Sequence, residues 1–349
     1  MGGNAEYPIL PSSDSGGTVA ERLPASLDTV RGLACLLLVC FHVVGDTPAR
    51  GLGLPAESGW HYASDSLALI RMPVFTILSG LLYGCHRASL RNIEDFAIKK
   101  LRRLGIPLLV LTLLMWSGRS LVHGEDVSLP YALTHSYEHL WFLQALLWVF
   151  AFVALVDCLA RPSPVRLAML VGGAALLSAL THTTSFLSLE RAIYLLPFFL
   201  YGLLLSQLPA GFLSRRNGIA ALVAALAIMA YAQGGLLGIV PRLRPGGILA
   251  FACGAAACTA LLALLPRIGA LATIGHYSYS IYLWHVFFLA GGRMALRAAG
   301  HEDVPMLFLA SAFCGLAGPI LLHRVAIRHE WSAIALLGIK PARRGLQAA

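Results

Sequence analysis

Charged residues are scarce in this chain. Asp, Glu, Lys and Arg make up 12% of its 349 residues, whereas a soluble domain of this length carries roughly a quarter. Hydrophobic residues make up 58%, and the mean hydropathy is +0.73. This composition excludes an ordinary soluble domain and predicts a polytopic membrane protein. The net charge of +9 does not indicate a nucleic-acid partner, because the basic residues lie mainly in short loops on one side of the predicted spans.

Several motifs are also missing. The sequence has no phosphate-binding G-x-x-x-x-G-K-[ST] loop, no G-x-G-x-x-G, no H-E-x-x-H and no clustered Cys/His ligand spacing. Its seven cysteines form no C-x-x-C pair and lie in or beside apolar runs, which is typical of small buried residues. Residues 1–25 have no basic stretch of the kind that begins a signal peptide. We therefore expect no metal and no bound cofactor, and we predict that residues 1–25 form a disordered cytoplasmic tail.

Long apolar segments dominate the rest of the chain. Each is roughly 17–22 residues long, which is enough to cross a bilayer as a helix. They are approximately 27–45, 66–85, 104–122, 139–160, 165–181, 191–208, 218–237, 247–265, 275–291 and 304–323. The sequence thus predicts an all-α bundle of about ten transmembrane helices, with one membrane domain at 26–325 and a short basic tail at 326–349.

The loops differ in charge from one side to the other. The loop 86–103 is strongly basic, whereas the loops 46–65 and 123–138 are acidic or carry His. Because Lys and Arg accumulate in cytoplasmic loops, we predict an inner-membrane protein with both termini in the cytoplasm. Two predicted outer loops depart from the rule with paired arginines, at 242 and 244 and at 293 and 297.

This orientation predicts the depth in the membrane of each polar residue within the spans. Four spans carry them just below the predicted outer surface: His42 in the first, Arg71 in the second, His139 and Trp141 in the fourth, and His285 in the ninth. Arg31 and His42 are eleven residues apart, so they share one side of the first helix, roughly 16 Å apart along its axis. An ionisable residue inside a bilayer costs about 2.5–3.5 kcal/mol on insertion scales, so such residues usually face the bundle interior.

Five motifs carry a family resemblance, and they follow one another along nearly the whole chain. They are Leu27-Asp28-x-x-Arg31-Gly-Leu-Ala with Phe41-His42, Arg71-Met-Pro73-Val-Phe75-x-x-Leu-Ser79-Gly80, Arg102-Arg103-Leu-Gly-Ile-Pro107, His139-Leu-Trp141-Phe-Leu143 and Tyr277-Ser-Tyr-x-Ile-Tyr282-Leu-x-His285. Together they resemble the membrane-bound acyltransferase-3 family, whose members are acyl-CoA-dependent O-acyltransferases. The Arg-x10-His spacing of that family is met by Arg31 and His42.

The sequence departs from the family in two places. The basic turn often reads Arg-x-x-Arg, and here the first position is Lys100, which lacks a bidentate fork, while the second is Arg103. The second helix has Val74, Thr76 and Ile77 where aromatic residues are usual. These departures leave open which donor and acceptor are preferred. We also expect that any acyl relay to an extracytoplasmic domain would need a separate protein.

The resemblance implies roles for the donor side of the reaction. Acyl transfer to a hydroxyl needs a base, and imidazole, with an ordinary pKa of ~6.5, suits this task. We interpret His42 as the general base or as a transient acyl carrier, and Arg71 as the group that stabilises the oxyanion or holds the thioester carbonyl. Three cations at the inner face are suited to bind the phosphates of coenzyme A: Arg31, Lys100 and Arg103. Plain structural roles stay open for all five residues.

The acceptor side is less defined. His139, Trp141, Tyr282 and His285 are candidates to line the acceptor site, and interfacial anchoring is the alternative for the aromatic residues. Asp46 lies one turn after His42 and could orient its imidazole, or it could be a solvated loop acid.

The predicted function is an integral membrane O-acyltransferase. It moves an acetyl or similar short acyl group from acyl-CoA to a sugar hydroxyl in a glycan, glycolipid or glycosylated metabolite. Its partners would be these substrates, membrane lipid, and either further copies of the chain or an extracytoplasmic protein. Two alternatives stay open: a secondary transporter of a sugar-like or acyl-bearing solute, and a non-catalytic member of a polysaccharide assembly complex.

Overall fold

The computed structural model describes residues 17–21, 23–124, 126–181 and 184–340, except for the side chains at 122 and 123. Within these residues the fold is all-α, as predicted, and its only β-type pairings are two isolated bridges. The helices in the first half are α1 (Leu27–Val44), α2 (Gly59–Ser66), α3 (Ala68–Cys85), α4 (Ile93–Lys100), α5 (Ile106–His123), α6 (Leu129–Thr134) and α7 (Trp141–Leu159). Those in the second half are α8 (Pro164–Leu180), α9 (Leu189–Gln207), α10 (Arg215–Leu236), α11 (Ile248–Leu264), α12 (Gly269–His276), α13 (Ser278–Ala298), α14 (Val304–Ala326) and α15 (Glu330–Leu337).

Ten of these helices overlap the ten predicted segments, nine of them to within a few residues, whereas α13 ends seven residues beyond its predicted segment 275–291. The ten helices are α1, α3, α5, α7, α8, α9, α10, α11, α13 and α14. In the described part of the chain, seven helical stretches are long and apolar enough to span a membrane. The helices α8 and α11 are apolar but shorter, and α13 carries Arg293 and Arg297 in its last turns. The predicted count of ten crossings therefore stays a prediction.

Glycines bring two pairs of helices into backbone contact. Gly32 of α1 lies against Gly275 of α12, so a Cβ atom on either residue would overlap the facing backbone. Gly80 of α3 and Gly202 of α9 are matched in the same way. Such small-residue contacts replace the hydrophobic driving force that helices lack inside a bilayer.

A π-helical turn, Leu101–Gly105, joins α4 to α5 and carries Arg102 and Arg103. Pro107 explains its position, because proline has no N–H to donate to the carbonyl four residues earlier, which belongs to Arg103. That carbonyl accepts a hydrogen bond from the hydroxyl of Tyr279 in α13. The basic turn is thus tied to a helix that comes more than 170 residues later.

A buried ion pair lies at the C-terminal end of α7, which is the end farther from His139. Asp157 accepts hydrogen bonds from the guanidinium of Arg87 and from the hydroxyl of Tyr83, the latter at 2.7 Å. Tyr83 also packs against Phe150 and Phe199. Because an unpaired buried carboxylate is strongly unfavourable, these partners fix how α3 and α7 meet.

The two ends of the chain pack on the bundle where they are described. Val19 is buried, and its N–H donates to Leu208 O after the end of α9. Residues 1–16 and 22 of the predicted tail lie outside the described residues, as do 341–349. Within the second tail, α15 buries Ala333 and Leu337 beside α5 and α14. The proposed division at 25 and 325 stays a prediction.

Candidate functional site

The site is organised on α1. This helix runs without interruption from Leu27 to Val44 and therefore carries Arg31 and His42 as a rigid pair. With a rise of ~1.5 Å per residue, the two Cα atoms lie roughly 16 Å apart along the axis. His42 is half-buried in the last turn of the helix. The spacing inferred from the sequence is thus realised by one unbroken helix.

Three imidazoles meet at the His42 end of α1. The ring centroid of His42 lies 4.9 Å from that of His285 and 6.1 Å from that of His139. The rings of His139 and His285 are 5.1 Å apart. His285 is fully buried and His139 is 5% exposed, so His42 is the most accessible member of this cluster. We call these three residues the histidine cluster.

Hydrogen bonds define the tautomers of the two buried histidines. Nδ1 of His285 lies 2.9 Å from the carbonyl oxygens of both Ile281 and Tyr282. Because carbonyls only accept, Nδ1 carries the proton and, in the neutral ring, Nε2 carries the lone pair. In His139 the assignment is reversed, since Nε2 lies 3.3 Å from Leu283 O. Among the described residues, neither His285 Nε2 nor His139 Nδ1 has a hydrogen-bond partner.

Tyr282 holds the turn that presents His139. Its hydroxyl donates to His139 O at 2.5 Å, and its ring lies 5.9 Å from the imidazole. The preceding residue, Glu138, adopts a positive φ of 48°, which is uncommon for a residue with a side chain. Its carboxylate accepts hydrogen bonds from Arg50 at 3.2 Å and from Arg119 at 2.5 Å. Two arginines from separate segments therefore secure this strained turn.

Arg71 lies beside the histidine cluster. Its Cζ atom is 3.8 Å from the ring centroid of Phe41, the residue before His42, and Nη1 donates to Ser64 Oγ at 3.1 Å. Arg71 is 8% exposed, and no carboxylate in the described chain lies within ion-pair distance of it. A guanidinium has five donors, so this one keeps donors for a ligand.

Asp46 does not orient His42. Its carboxylate lies 3.6 Å from the guanidinium of Arg50, and both side chains are nearly half exposed. In the part of the chain that the structure describes, neither nitrogen of His42 has a hydrogen-bond partner. The environment of His42 is instead aromatic, with Phe41 and His285 as its nearest rings.

The three predicted coenzyme A ligands occupy separate parts of the opposite end of the bundle. Arg31 pairs with Asp28 at 3.1 Å in the first turns of α1. The amino group of Lys100 lies 3.7 Å from the ring centroid of Phe150, and the guanidinium of Arg103 lies 4.5 Å from that of Tyr279. Lys100 and Arg103 are one turn apart, and aromatic rings hold both cations.

Trp141 makes its ring contacts outside the histidine cluster. Arg191 lies 5.2 Å from its ring centroid and Phe142 lies 5.9 Å away. With His135 and Gln144 it also lines a separate cavity of about 110 Å³. The structure therefore brings together His42, Arg71, His139, Tyr282 and His285, and leaves Trp141 beside them.

The sequence interpretation missed the residues that support the site. Glu138 and Arg50 lie in predicted outer loops, where a charge is ordinarily solvated, and Tyr279 differs little from its neighbouring tyrosine residues in the same motif. Pro107 was the one residue in the sequence that indicated part of this support, because a proline within a helix leaves the carbonyl four residues earlier without its backbone donor. In the described residues, no group of three or more His, Cys, Asp or Glu is arranged to hold a metal ion.

Comparison with known proteins adds one match. A family described as an acyltransferase domain matches residues 25–324, which is nearly the whole chain. No curated protein and no solved structure matches the sequence.

Proposed function

Because the chain belongs to the acyltransferase-3 family, we propose that it is an O-acyltransferase that moves acetyl or a similar short acyl group from acyl-CoA to a sugar hydroxyl. The acceptor sugar would be part of a glycan, a glycolipid or a glycosylated metabolite. The observation that carries this proposal is the histidine cluster beside a buried arginine that has no carboxylate partner in the described chain. A base and an oxyanion-binding cation are the two groups that acyl transfer requires.

His42 is the proposed general base. The acceptor oxygen bonds to the thioester carbonyl carbon, and its proton passes to the imidazole. The carbon–sulfur bond then breaks, and the coenzyme A thiolate takes the proton. In a two-step variant the imidazole nitrogen itself attacks the thioester, and the carbon–sulfur bond breaks to release coenzyme A. The acceptor hydroxyl then takes the acyl group, and its proton replaces the one lost with the thiol. The exposure of His42 relative to its two neighbours makes it the member that substrates reach.

Arg71 is the proposed electrostatic partner. In the tetrahedral intermediate the former carbonyl oxygen carries a negative charge, and a preorganised donor near that oxygen stabilises it. The contact with Phe41 fixes the guanidinium beside His42 without neutralising its charge. Arg71→Lys should therefore be poorer than its retained charge suggests, because an ammonium group cannot reproduce the planar fork.

Arg31, Lys100 and Arg103 are the proposed ligands of the coenzyme A phosphates. Carboxylate or aromatic contacts hold each cation, and such contacts leave N–H donors for phosphate oxygens. The distance along α1 separates these cations from the histidine cluster, which suits a donor that is long enough to reach from one to the other.

The acceptor would bind against the buried histidines. His285 Nε2 and His139 Nδ1 offer lone pairs to sugar hydroxyls, which are donors. The hydroxyl of Tyr282 is already used by His139 O, so this residue positions the turn. Trp141, with its exposed neighbour Arg191, would contact a more distant part of the acceptor.

The test uses purified protein in nanodiscs with radiolabelled acetyl-CoA and a panel of glycoside acceptors. Acetyl transfer that is lost in His42→Ala supports the proposal. Full activity in His42→Ala would overturn the mechanism. Uptake of the acceptor into proteoliposomes without turnover of acyl-CoA would favour a transporter instead.

The proposed orientation has both termini in the cytoplasm, at the inner membrane, with acyl-CoA arriving from the cytoplasmic side. A single cysteine at Asn92, in a cysteine-free background, would test it. An impermeant thiol reagent added outside should leave this cysteine unlabelled, and labelling would contradict the orientation. Self-association and a separate extracytoplasmic partner remain part of the proposal.

A further inference from the structure

A second cavity lies between α1, α3, α10 and α11. Its volume is about 400 Å³, which is within the range of ligand pockets. Leu33 and Leu37 line it from α1, Ile70 from α3, Ala225 from α10, and Ala257 and Ala260 from α11. None of the sixteen residues that line it is polar.

Small side chains account for the opening. At membrane helix contacts, alanine normally lets two backbones approach closely, as the glycines do between α1 and α12. Here Ala225, Ala257 and Ala260 are buried and line the cavity. Protein interiors are ordinarily close-packed, so the apolar lining of a cavity of this size favours a hydrocarbon as its occupant.

Two residues that line the cavity lie close in the chain to residues of the candidate site. Ile70 immediately precedes Arg71, and Leu37 lies about one turn before Phe41 on α1. The guanidinium of Arg71 in turn lies on the ring of Phe41. A chain that occupies the cavity would thus carry its polar end into the neighbourhood of Arg71 and His42.

The other side of the cavity opens laterally. Leu222 and Leu226 of α10 line it and are 40% and 55% exposed. Most of α10 faces outward, and few of its residues are buried. A molecule dissolved in the bilayer can enter between α10 and its neighbours without passing through water.

We propose that this cavity holds the hydrocarbon chain of a lipid-anchored acceptor, whose sugar hydroxyl then lies at the histidine cluster. The proposal rests on the proposed function and narrows its acceptor to a glycolipid. The pantetheine arm of coenzyme A does not suit the cavity, because its two amides would find no hydrogen-bond partner there. The lateral opening favours a lipid already in the membrane over the acyl chain of a soluble donor.

Filling the cavity tests the proposal kinetically. Ala225→Leu adds methyl groups to its wall, and Ala224→Leu, on the exposed face of the same helix, is the matched control. Acetyl transfer is measured with a long-chain alkyl glycoside and with the methyl glycoside of the same sugar. Ala225→Leu should raise KM for the long-chain acceptor by roughly tenfold or more, within the range that altered methylene contacts produce. KM for the methyl glycoside and for acetyl-CoA should stay as in Ala224→Leu. Equal effects on both acceptors would overturn the proposal.

Crosslinking tests the occupant without relying on turnover. A long-chain alkyl glycoside with a diazirine in its tail is irradiated with the full-length protein in phosphatidylcholine nanodiscs. The proposal expects labelled peptides from α10 and α11, competition by unlabelled alkyl glycoside, and loss of labelling in Ala225→Leu but not in Ala224→Leu. Competition by palmitoyl-CoA alone would assign the cavity to the donor, and labelling that no glycoside displaces would assign it to bulk lipid. Either result overturns the proposal.

The two experiments separate this inference from the proposed function. Acetyl transfer to the methyl glycoside with no cavity labelling would keep the function and remove the lipid site. Specific labelling of the cavity with no acetyl transfer to any acceptor would support a lipid site but contradict the acyltransferase activity. Because the inference needs that activity, this result would overturn it.

Discussion

His285 is held in one tautomer beside His42. Its Nδ1 is committed to the carbonyl oxygens of Ile281 and Tyr282, and its ring lies 4.9 Å from that of His42. The buried ring therefore has one tautomer when it is neutral, whereas His42 has no such restraint in the described chain. The pair combines an imidazole of fixed polarity with one that can exchange protons.

His42→Ala should abolish acyl transfer. Loss of a general base lowers kcat by about 10²–10⁴-fold, and the variant should insert in the membrane and melt near the wild-type temperature because His42 is half-buried in a terminal turn. Radiolabelled acetyl transfer and thermal unfolding in detergent measure the two effects. His301→Ala, in an exposed loop, is the control and should retain full activity.

Two substitutions at His285 should separate its structural and chemical roles. In His285→Asn the amide nitrogen can still donate to the carbonyls, but the group at the Nε2 position is gone. In His285→Gln that position stays polar, and the side-chain hydrogen bond to the two carbonyls is lost at a cost of about 0.5–1.5 kcal/mol. We expect the larger loss of kcat in the His285→Asn variant and the larger fall in melting temperature in the His285→Gln variant. Parallel losses of both quantities in both variants would reduce His285 to a packing residue.

The inner-face cations should affect the donor more than the acceptor. Arg103→Ala and Arg31→Ala should each raise KM for acyl-CoA several-fold, because charge-assisted hydrogen bonds to phosphate are lost. KM for the acceptor should change less. Arg216→Ala, an exposed arginine at the start of α10, provides the control for loss of positive charge. An unchanged KM for acyl-CoA in both variants would leave these residues as membrane anchors.

Glu138→Gln should loosen the turn that presents His139. The substitution keeps the size of the side chain but removes the charge that pairs with Arg50 and Arg119. Because Arg50 is nearly half exposed, the loss in stability should be about 1 kcal/mol or less, while KM for the acceptor rises. The control is Glu302→Gln, whose carboxylate is 73% exposed and pairs with Arg297 at 3.6 Å. Identical kinetics in the two variants would contradict a role for this turn.

The sequence predicted the positions of the helices well, but it did not predict which helices and side chains contact one another. Apolar length set the ten segments, and the charge of the loops placed His42, His139 and His285 at one depth, where the structure brings them together. Depth does not say which helices touch, so the order in which the rings pack, the tautomer of His285 and the pairing of Glu138 could not be inferred. The ion pair between Asp157 and Arg87 was also missed, because the sequence does not show that α3 and α7 pack together.

The glycine contacts have a consequence for how substrates meet. Where Gly32 lies on Gly275 and Gly80 on Gly202, the backbones touch, and a shift by one residue would drive a larger side chain into the facing helix. Alternating-access carriers work by rocking one half of a bundle against the other, which such contacts resist. A scaffold locked in register instead suits the proposed reaction, in which two substrates travel to a stationary reaction point.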